Sequence, residues 1–508
     1  MRKRIRVFIL ASLSGTLTAC AFPKWNLSFF AWISLIPLLF ILLNKSLKQS
    51  FFLGITAGFF HYGILLYWIP FVPAYYGNLP VSLSILIYLL FTLLLSLIWA
   101  FFSLFYTKVS KSFPILVLFL APFLWISLEY ILTFIFSGFP WCLLGYSQWK
   151  NIYLIQMASI TGVYGLSFIL VLFQSMFVYS LRFRKKSPFF AALGLVLLIH
   201  VAGYMSIRET PSSEESFTAA VIQGNVPSET YWGSLTAQET WELFNQHLEL
   251  STRSAEQGAE LIVWSELSVP LCFSCTEQYY VNFKERLFDF VRERGSTVVL
   301  GTVEMMSGQR ETLYHNAALA LQPDLSISYY YKIHLVPFGE YTPYKKIFFF
   351  LEKMTTAIGD LTPGTRYSLH TFKNFKFGSP ICYEIIFPQL VRKFVKKGAH
   401  FLVTITNDGW YKKSSAPYQH FAMAVFRAVE NRRFLIRAAT TGISGFVDPY
   451  GRILAESELM TQTHLLKKIA PIRKQSFYTK FGDVLPVASS ALVISFIILS
   501  FVKKRKTL

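Results

Sequence analysis

Cys382 closes an apolar run in the segment Gly378-Ser379-Pro380-Ile381-Cys382-Tyr383-Glu384. A cysteine at a strand end is exposed on a sharp turn, where the following backbone N–H groups can receive an oxyanion and the sulfur can act as a nucleophile. Taken alone, such a residue is more often a small buried hydrophobe. Two other segments carry what a nucleophile needs. In Leu261-Ile262-Val263-Trp264-Ser265-Glu266 an acid ends an apolar run, at the strand end where α/β domains assemble their sites. Glu266 there suits general-base work, or else caps a helix or faces water. Lys332 follows Tyr329-Tyr330-Tyr331 and would either hold a thiolate and a developing oxyanion or snorkel at a surface. His420 opens a helix-like stretch with no third member of a Cys–His system in sight, which favours a structural hydrogen bond over a dyad with Cys382.

The elements that must position these residues alternate. Strand-like runs lie at 218–223, 261–264, 297–300, 317–321, 377–381 and 401–406, with helix-like stretches at 238–257, 279–294, 390–397 and 419–431. Such alternation over roughly 250 residues indicates one α/β domain. No internal repeat or Gly-rich phosphate loop is visible. Five cysteines are too few for a disulfide scaffold. Cys272 and Cys275 form a C-x-x-C that is either locally paired or merely spare.

The remainder of the chain has a different composition. Charged residues make up 15% of the 508 residues against 53% hydrophobic, which excludes a purely cytosolic enzyme and a disordered tail. Residues 1–206 hold one acid, Glu129, whereas the other 27 of the 28 lie between Glu209 and Asp483. Apolar runs near 5–22, 27–43, 51–71, 81–106, 114–136, 154–181, 189–206 and 484–502 predict eight membrane-spanning helices. The loops alternate in charge: sixteen basic residues fall at Arg2–Arg6, Lys45–Lys48, Lys108–Lys111, Arg182–Lys186 and Lys503–Lys506, and the opposite loops carry only Lys24 and Lys150. The positive-inside rule then puts both termini in the cytoplasm and the 207–483 block outside. Most of the net charge of +20 is therefore topology, which argues against nucleic acid as a partner. Leu17-Thr18-Ala19-Cys20 is similar to a lipoprotein signal, but a further apolar segment follows it directly, and the charge pattern favours a retained helix.

Together these segments resemble the nitrilase superfamily, with its Glu-Lys-Cys triad, and more narrowly the apolipoprotein N-acyltransferase family. The resemblance rests on Val221-Ile222-Gln223-Gly224-Asn225, Val263-Trp264-Ser265-Glu266, Lys332-Ile333-His334-Leu335-Val336-Pro337-Phe338-Gly339-Glu340-Tyr341, Ile381-Cys382-Tyr383-Glu384, Thr406-Asn407-Asp408-Gly409-Trp410, Gln419-His420-Phe421 and Phe481-Gly482-Asp483. Their order within this topology is specific. It implies an eight-span membrane domain carrying one extracytoplasmic nitrilase-like α-β-β-α sandwich, in a bacterial inner membrane. It also implies Glu266 as base, Lys332 as electrostatic stabiliser and Cys382 as nucleophile. Glu340 and Glu384 would support the site, the Tyr383 N–H would help hold the oxyanion, and Phe139-Pro140-Trp141 would line a lipid entrance.

The implied reaction moves an acyl chain from a membrane phospholipid, through a Cys382 thioester, to the α-amino group of a diacylglyceryl-cysteine. No metal or soluble cofactor enters it, and the protein is expected to work as a monomer in the bilayer. The stretch 344–354 (YKKIFFFLEKM) reads as an interfacial arm with Phe348, Phe349 and Phe350 toward lipid, or as an ordinary amphipathic core helix. Two departures from the family stand out. Tyr411-Lys412-Lys413-Ser414 replaces an aromatic-Gly-Asp-Ser turn, and Thr440-Thr441-Gly442 stands where Asn-Thr-Gly is usual.

The expected boundaries are 1–206 for seven spans, 207–216 for a linker, 217–470 for the catalytic domain and 471–508 for the return segment and eighth span. A membrane-tethered amidase is the nearest rival, and eight spans exceed what tethering needs. A transporter is disfavoured, because the spans contain a single acid, Glu129, no basic pair at mid-depth and no obvious duplicated halves.

Overall fold

The computed structural model describes residues 2–113, 115–207, 214–226, 235–269, 272–307, 312–343 and 360–505. It divides into two compact units, one of residues 1–70, 80–207 and 481–508, the other of residues 71–79 and 208–480.

The first unit is helical. It contains α1 (Arg2–Cys20), α2 (Ile36–Leu42), α3 (Leu47–Leu65), α5 (Val81–Ser112), α6 (Leu116–Leu132), α7 (Ala158–Thr161), α8 (Val163–Phe183) and α9 (Ser187–Ser206), and α15 (Val484–Arg505) closes the chain. The short α4 (Phe71–Tyr75) falls between α3 and α5 in sequence but belongs to the second unit. Among the described residues, α5, α8 and α9 are long and apolar enough to cross a membrane, and the apolar stretches at 28–42, 116–132 and 484–499 are shorter.

Three of the expected spans are interrupted, each at a backbone punctuation mark. The run 27–43 folds as a 3-10 helix, Ser28–Trp32, followed by α2, with Pro37 in the first turn of α2 where its missing N–H costs nothing. The backbone groups freed at this break are taken by Gln174 of α8: its Oε1 accepts from Leu35 N at 2.6 Å and its Nε2 donates to Ala31 O at 3.0 Å. The run 51–71 stops at Leu65, five residues before Pro70. The run 154–181 is broken by Gly162 at φ +65° before α8 begins. Glu129 is buried on α6, where its Oε1 accepts from Trp125 Nε1 at 2.9 Å and from Leu144 N at 2.8 Å. Such bonds offset part of the cost of burying an acid.

The second unit is built on two six-stranded sheets. Its strands are β1 (Phe217–Gln223), β2 (Leu261–Trp264), β3 (Thr297–Ser307), β4 (Thr312–Leu321), β5 (Ile327–Tyr331), β6 (His370–Phe372), β7 (Phe375–Gly378), β8 (Phe401–Thr406), β9 (Leu435–Ala439), β10 (Gly445–Val447), β11 (Ile453–Glu456) and β12 (Thr463–Ile469). The strand orders are β12-β1-β2-β3-β4-β5 and β6-β7-β8-β9-β10-β11. In each sheet the second, third and fourth strands run parallel, the first and fifth run opposite to them, and the sixth, paired antiparallel to the fifth, points the same way as the central three. Helices α10 (Ala237–Glu256) and α11 (Gln278–Arg294) cover the first sheet, α12 (Pro388–Lys396) and α13 (Ala416–Asn431) the second, and β2 packs on β8 and β9 between them. The result is four layers, α-β-β-α. A short α14 (Phe477–Phe481) leads out to α15.

The two halves share one path, strand-helix-strand-helix-strand-strand-strand, from β1 to β5 and from β7 to β11. The sequence shows no such repeat, because a fold path survives when side chains diverge. Local signals set the helices: a Thr236/Glu239 capping box starts α10, and Gly295 at φ +65° ends α11. Phe244, Trp264, Phe283 and Leu287 form the core beneath α10 and α11. Removing each of them from water contributes roughly 1.5–3 kcal/mol. Cys272 and Cys275 are joined by a disulfide. Their loop is wrapped on Glu304, whose carboxylate accepts from the N–H groups of Phe273 and Ser274 at 3.1 and 2.8 Å.

Candidate active site

Both sheets send residues to one place from the carboxyl ends of their parallel strands. Glu266 lies just past β2, Lys332 is the residue after β5, and Cys382 follows β7 at the start of a 3-10 helix, Cys382–Ile386. All three are buried, with Glu266 4%, Lys332 1% and Cys382 6% exposed. Cys382 has φ +49°, a left-handed conformation that costs a side-chain-bearing residue free energy and is typical of a nucleophile held on a tight turn.

The charged groups form a closed ring. Lys332 Nζ donates to Glu266 Oε1 at 3.2 Å and to Glu340 Oε1 at 2.7 Å. Asn316 of β4 repeats the pattern, its Nδ2 donating to the same two oxygens at 2.8 and 2.9 Å. The outer oxygens are held by backbone: Glu266 Oε2 accepts from Asn407 N at 2.9 Å, and Glu340 Oε2 from Val336 N at 2.7 Å. Every carboxylate oxygen of the ring is thus paired, as buried charge requires. Burial works against the Lys332 ammonium, but Glu266 and Glu340 override it and hold its pKa above the ordinary lysine value, so it stays a cation. Burial and then Glu266 push the Cys382 thiol well above its usual value, and Lys332 and the Thr406 side chain offset this only in part. The resting sulfur is therefore S–H and needs a base before it can attack.

Glu384 organises the backbone rather than the chemistry. Its Oε1 accepts from the Tyr330 hydroxyl at 2.7 Å and from Ile333 N and His334 N at 2.8 and 3.0 Å, and its Oε2 accepts from Ile381 N at 2.8 Å. One buried carboxylate so ties the lysine segment to the cysteine turn. Burial pushes its pKa up to about 7 against these donors. The Tyr383 ring packs against His334 and Phe387, and its N–H is the amide that follows the nucleophile.

Behind Cys382 lies a second buried network. Asp408 Oδ2 accepts from Arg437 at 2.8 Å, and its Oδ1 lies 2.8 Å from His420 Nδ1. Burial would raise the Asp408 carboxyl, but Arg437 and His420 hold it down to about 2. His420 Nε2 meets the Cys382 carbonyl oxygen at 3.2 Å. The histidine therefore braces the main chain at Cys382, in line with the structural hydrogen bond expected of it. Thr440, one of the two departures from the family pattern, donates its hydroxyl to Ser265 Oγ at 3.0 Å, beside Glu266.

The loop residues expected at a lipid entrance belong to the first unit. Trp141 is buried against Trp68, with ring centroids 5.2 Å apart, Pro140 is buried, and Phe139 is half-buried between Phe91 and Trp141. Phe348, Phe349, Phe350 and the expected arm lie outside the described residues.

The second unit, a carbon–nitrogen hydrolase sandwich carrying a Glu-Lys-Cys cluster, defines the class, and the apolar helices of the first unit narrow it. The carbon-nitrogen hydrolase family model matches residues 218–473, and the model of the apolipoprotein N-acyltransferase N-terminal domain matches residues 14–176. An apolipoprotein N-acyltransferase from Geobacter metallireducens is 36% identical over 501 residues, which cover 96% of this chain and 94% of that one. One from Wigglesworthia glossinidia brevipalpis is 32% identical over 513 residues, covering 98% of both. The chain belongs to the apolipoprotein N-acyltransferase family.

Sequence reasoning passed over Asn316 and Arg437, and it named Asn407 within a motif without giving it a role. Asn316 carried a visible signal, an amide interrupting the otherwise apolar run Ala317–Leu321 at its start. Asn407 acts through its backbone, which no side-chain type announces.

Proposed function

We propose that this protein transfers an acyl chain from a membrane phospholipid to the α-amino group of an N-terminal diacylglyceryl-cysteine, the last step of bacterial lipoprotein maturation. The observation that carries the reading is the buried ring in which Lys332 bridges Glu266 and Glu340 within electrostatic reach of the Cys382 thiol. Glu266 takes the thiol proton, and the sulfur attacks the ester carbonyl of the phospholipid. Lys332 and the Tyr383 N–H stabilise the tetrahedral oxyanion. The C–O bond breaks, Glu266 returns the proton to the departing alkoxide, and a lysophospholipid leaves. The acyl-Cys382 thioester is next attacked by the acceptor amine, whose proton passes to Glu266 and then to the sulfur as the C–S bond breaks. This is a two-step scheme through a covalent intermediate. Glu340 and Glu384 are positioning residues in it.

The same reading assigns eight spans with both termini cytoplasmic, the domain at 217–470 on the periplasmic side of the inner membrane, and a monomeric enzyme without a cofactor. Phe139, Pro140, Trp141 and the phenylalanines 348–350 would guide lipid. Both substrates are lipid-anchored, and water must be kept from the thioester, which supports a site that opens at a bilayer surface. The test is transfer itself. Purified protein, phospholipid vesicles and a diacylglyceryl-cysteinyl peptide should yield N-acylated peptide and lysophospholipid in equal amounts, with neither formed by Cys382→Ala. Release of free fatty acid without N-acylated peptide would favour a hydrolase instead.

A further inference from the structure

The turn that follows β8 holds the general base, and something outside the active site holds that turn. Asn407 N donates to Glu266 Oε2 at 2.9 Å, and Asn407 Oδ1 accepts from Gly409 N at 3.0 Å, which closes a tight Asx-type turn. From within, Asp408 is fixed by Thr406, Arg437 and His420. From outside, residues 75 and 76, which fold with this unit although they lie between α3 and α5 in sequence, grip its far side. The Tyr76 hydroxyl donates to Gly409 O at 3.0 Å, and the Tyr76 ring meets Trp410 edge-on with centroids 4.6 Å apart. Lys412 Nζ stands 3.6 Å above the Tyr75 ring.

Lys412 is the telling residue. It adopts φ +48°, ψ −144°, a conformation that glycine takes freely and other residues avoid. A lysine in a glycine-type conformation needs compensation, and its ammonium over Tyr75 supplies it through a cation–π contact.

We infer that Tyr75, Tyr76 and Lys412 form a clamp that positions the catalytic turn, and through the Asn407 amide the carboxylate of Glu266. The inference rests on the function proposed above and names positioning residues for that reaction. The clamp touches neither reacting atom. Loosening it lets the Asn407 amide drift from Glu266, so proton abstraction from Cys382 slows while donor binding is unchanged.

The experiment uses the full-length protein in phospholipid nanodiscs, with Tyr76→Phe, Lys412→Gln and Lys412→Arg. Two quantities are read: hydrogen exchange of amides 407–412, and the single-turnover rate of Cys382 acylation across donor concentrations. Tyr76→Phe and Lys412→Gln should each raise exchange in that turn about fivefold, the worth of one neutral hydrogen bond. Each should slow acylation at saturating donor by a similar factor and leave the half-saturating donor concentration in place. Lys412→Arg, which keeps a cation over the ring, should restore both. Exchange within twofold of wild type in the first two variants overturns the clamp, as does faster exchange with an unchanged acylation rate. A wild type that forms no acyl-Cys382 defeats the proposed function, and exchange alone then decides whether the clamp exists.

Discussion

At the scale of single residues, the site separates the groups that react from the groups that hold them. The Cys382 thiol, raised by burial and by Glu266, is protonated at neutral pH. Below its pKa the thiolate fraction grows tenfold per pH unit, so alkylation of Cys382 by iodoacetamide, followed by peptide mass spectrometry, should keep rising through pH 9. A plateau below pH 8 would mean a thiolate already stabilised at rest. Glu266, Lys332 and Cys382 each follow a strand-like run, yet residue type alone favoured a bland reading of Cys382 and Glu266, and it is the motif resemblance that picked the three out together. The structure brings Glu266 and Lys332 into contact beside Cys382. Asn316 was harder to see, since its value lies in reaching two carboxylates that are 50 and 24 residues away. Glu384 was named as a supporting acid from the resemblance, but three of its four donors, Tyr330, Ile333 and His334, come from a stretch about fifty residues away that only the fold brings to it.

At the scale of elements, the sheets act as rulers. Gly301 on β3 passes so close to the Glu266 turn that an added Cβ would lie 2.6 Å from Leu267 N and 2.7 Å from Glu266 Cα, both backbone atoms with little room to yield. Gly301→Ala should therefore displace Glu266, lowering transfer activity by tenfold or more and costing about 1–3 kcal/mol of stability. Activity measured beside a denaturation curve checks both, and an alanine variant within twofold of wild type would show that the strand does not set the base. Apolar runs located four helices of the second unit to within about three residues and six of its twelve strands, but β3 extends seven residues beyond its expected end and β5, β6 and β9–β12 were not read, being short or half-exposed. Continuous hydrophobicity hid the interruptions at Pro37, Pro70 and Gly162. Hydropathy registers apolar length and not helix ends, and proline or glycine alone does not mark them either, since Pro122 lies inside α6 and Gly54 and Gly58 inside α3. The shared path of the two halves left no trace in residue types.

At the scale of the whole molecule, composition carries the argument. The one-sided run of basic loops and the confinement of acids to 209–483 are what the proposed placement of the catalytic block outside the cytoplasm rests on. A cysteine at exposed Glu458 should be labelled by a membrane-impermeant maleimide in spheroplasts, above the background of the parent protein. A cysteine at exposed Lys185 should label only after lysis. The reverse pattern would invert the topology. Charge asymmetry is the sequence signal behind this proposed orientation, and residue types offer no comparable handle on how residues 71–79 come to fold with the second unit.

The central claim is that Cys382 carries the acyl chain, and intact mass of the protein purified from membranes tests it most directly. Wild type should show an increment of one fatty acyl chain, removable by hydroxylamine and absent from Cys382→Ala. A wild type that stays unmodified after incubation with phospholipid would contradict the account.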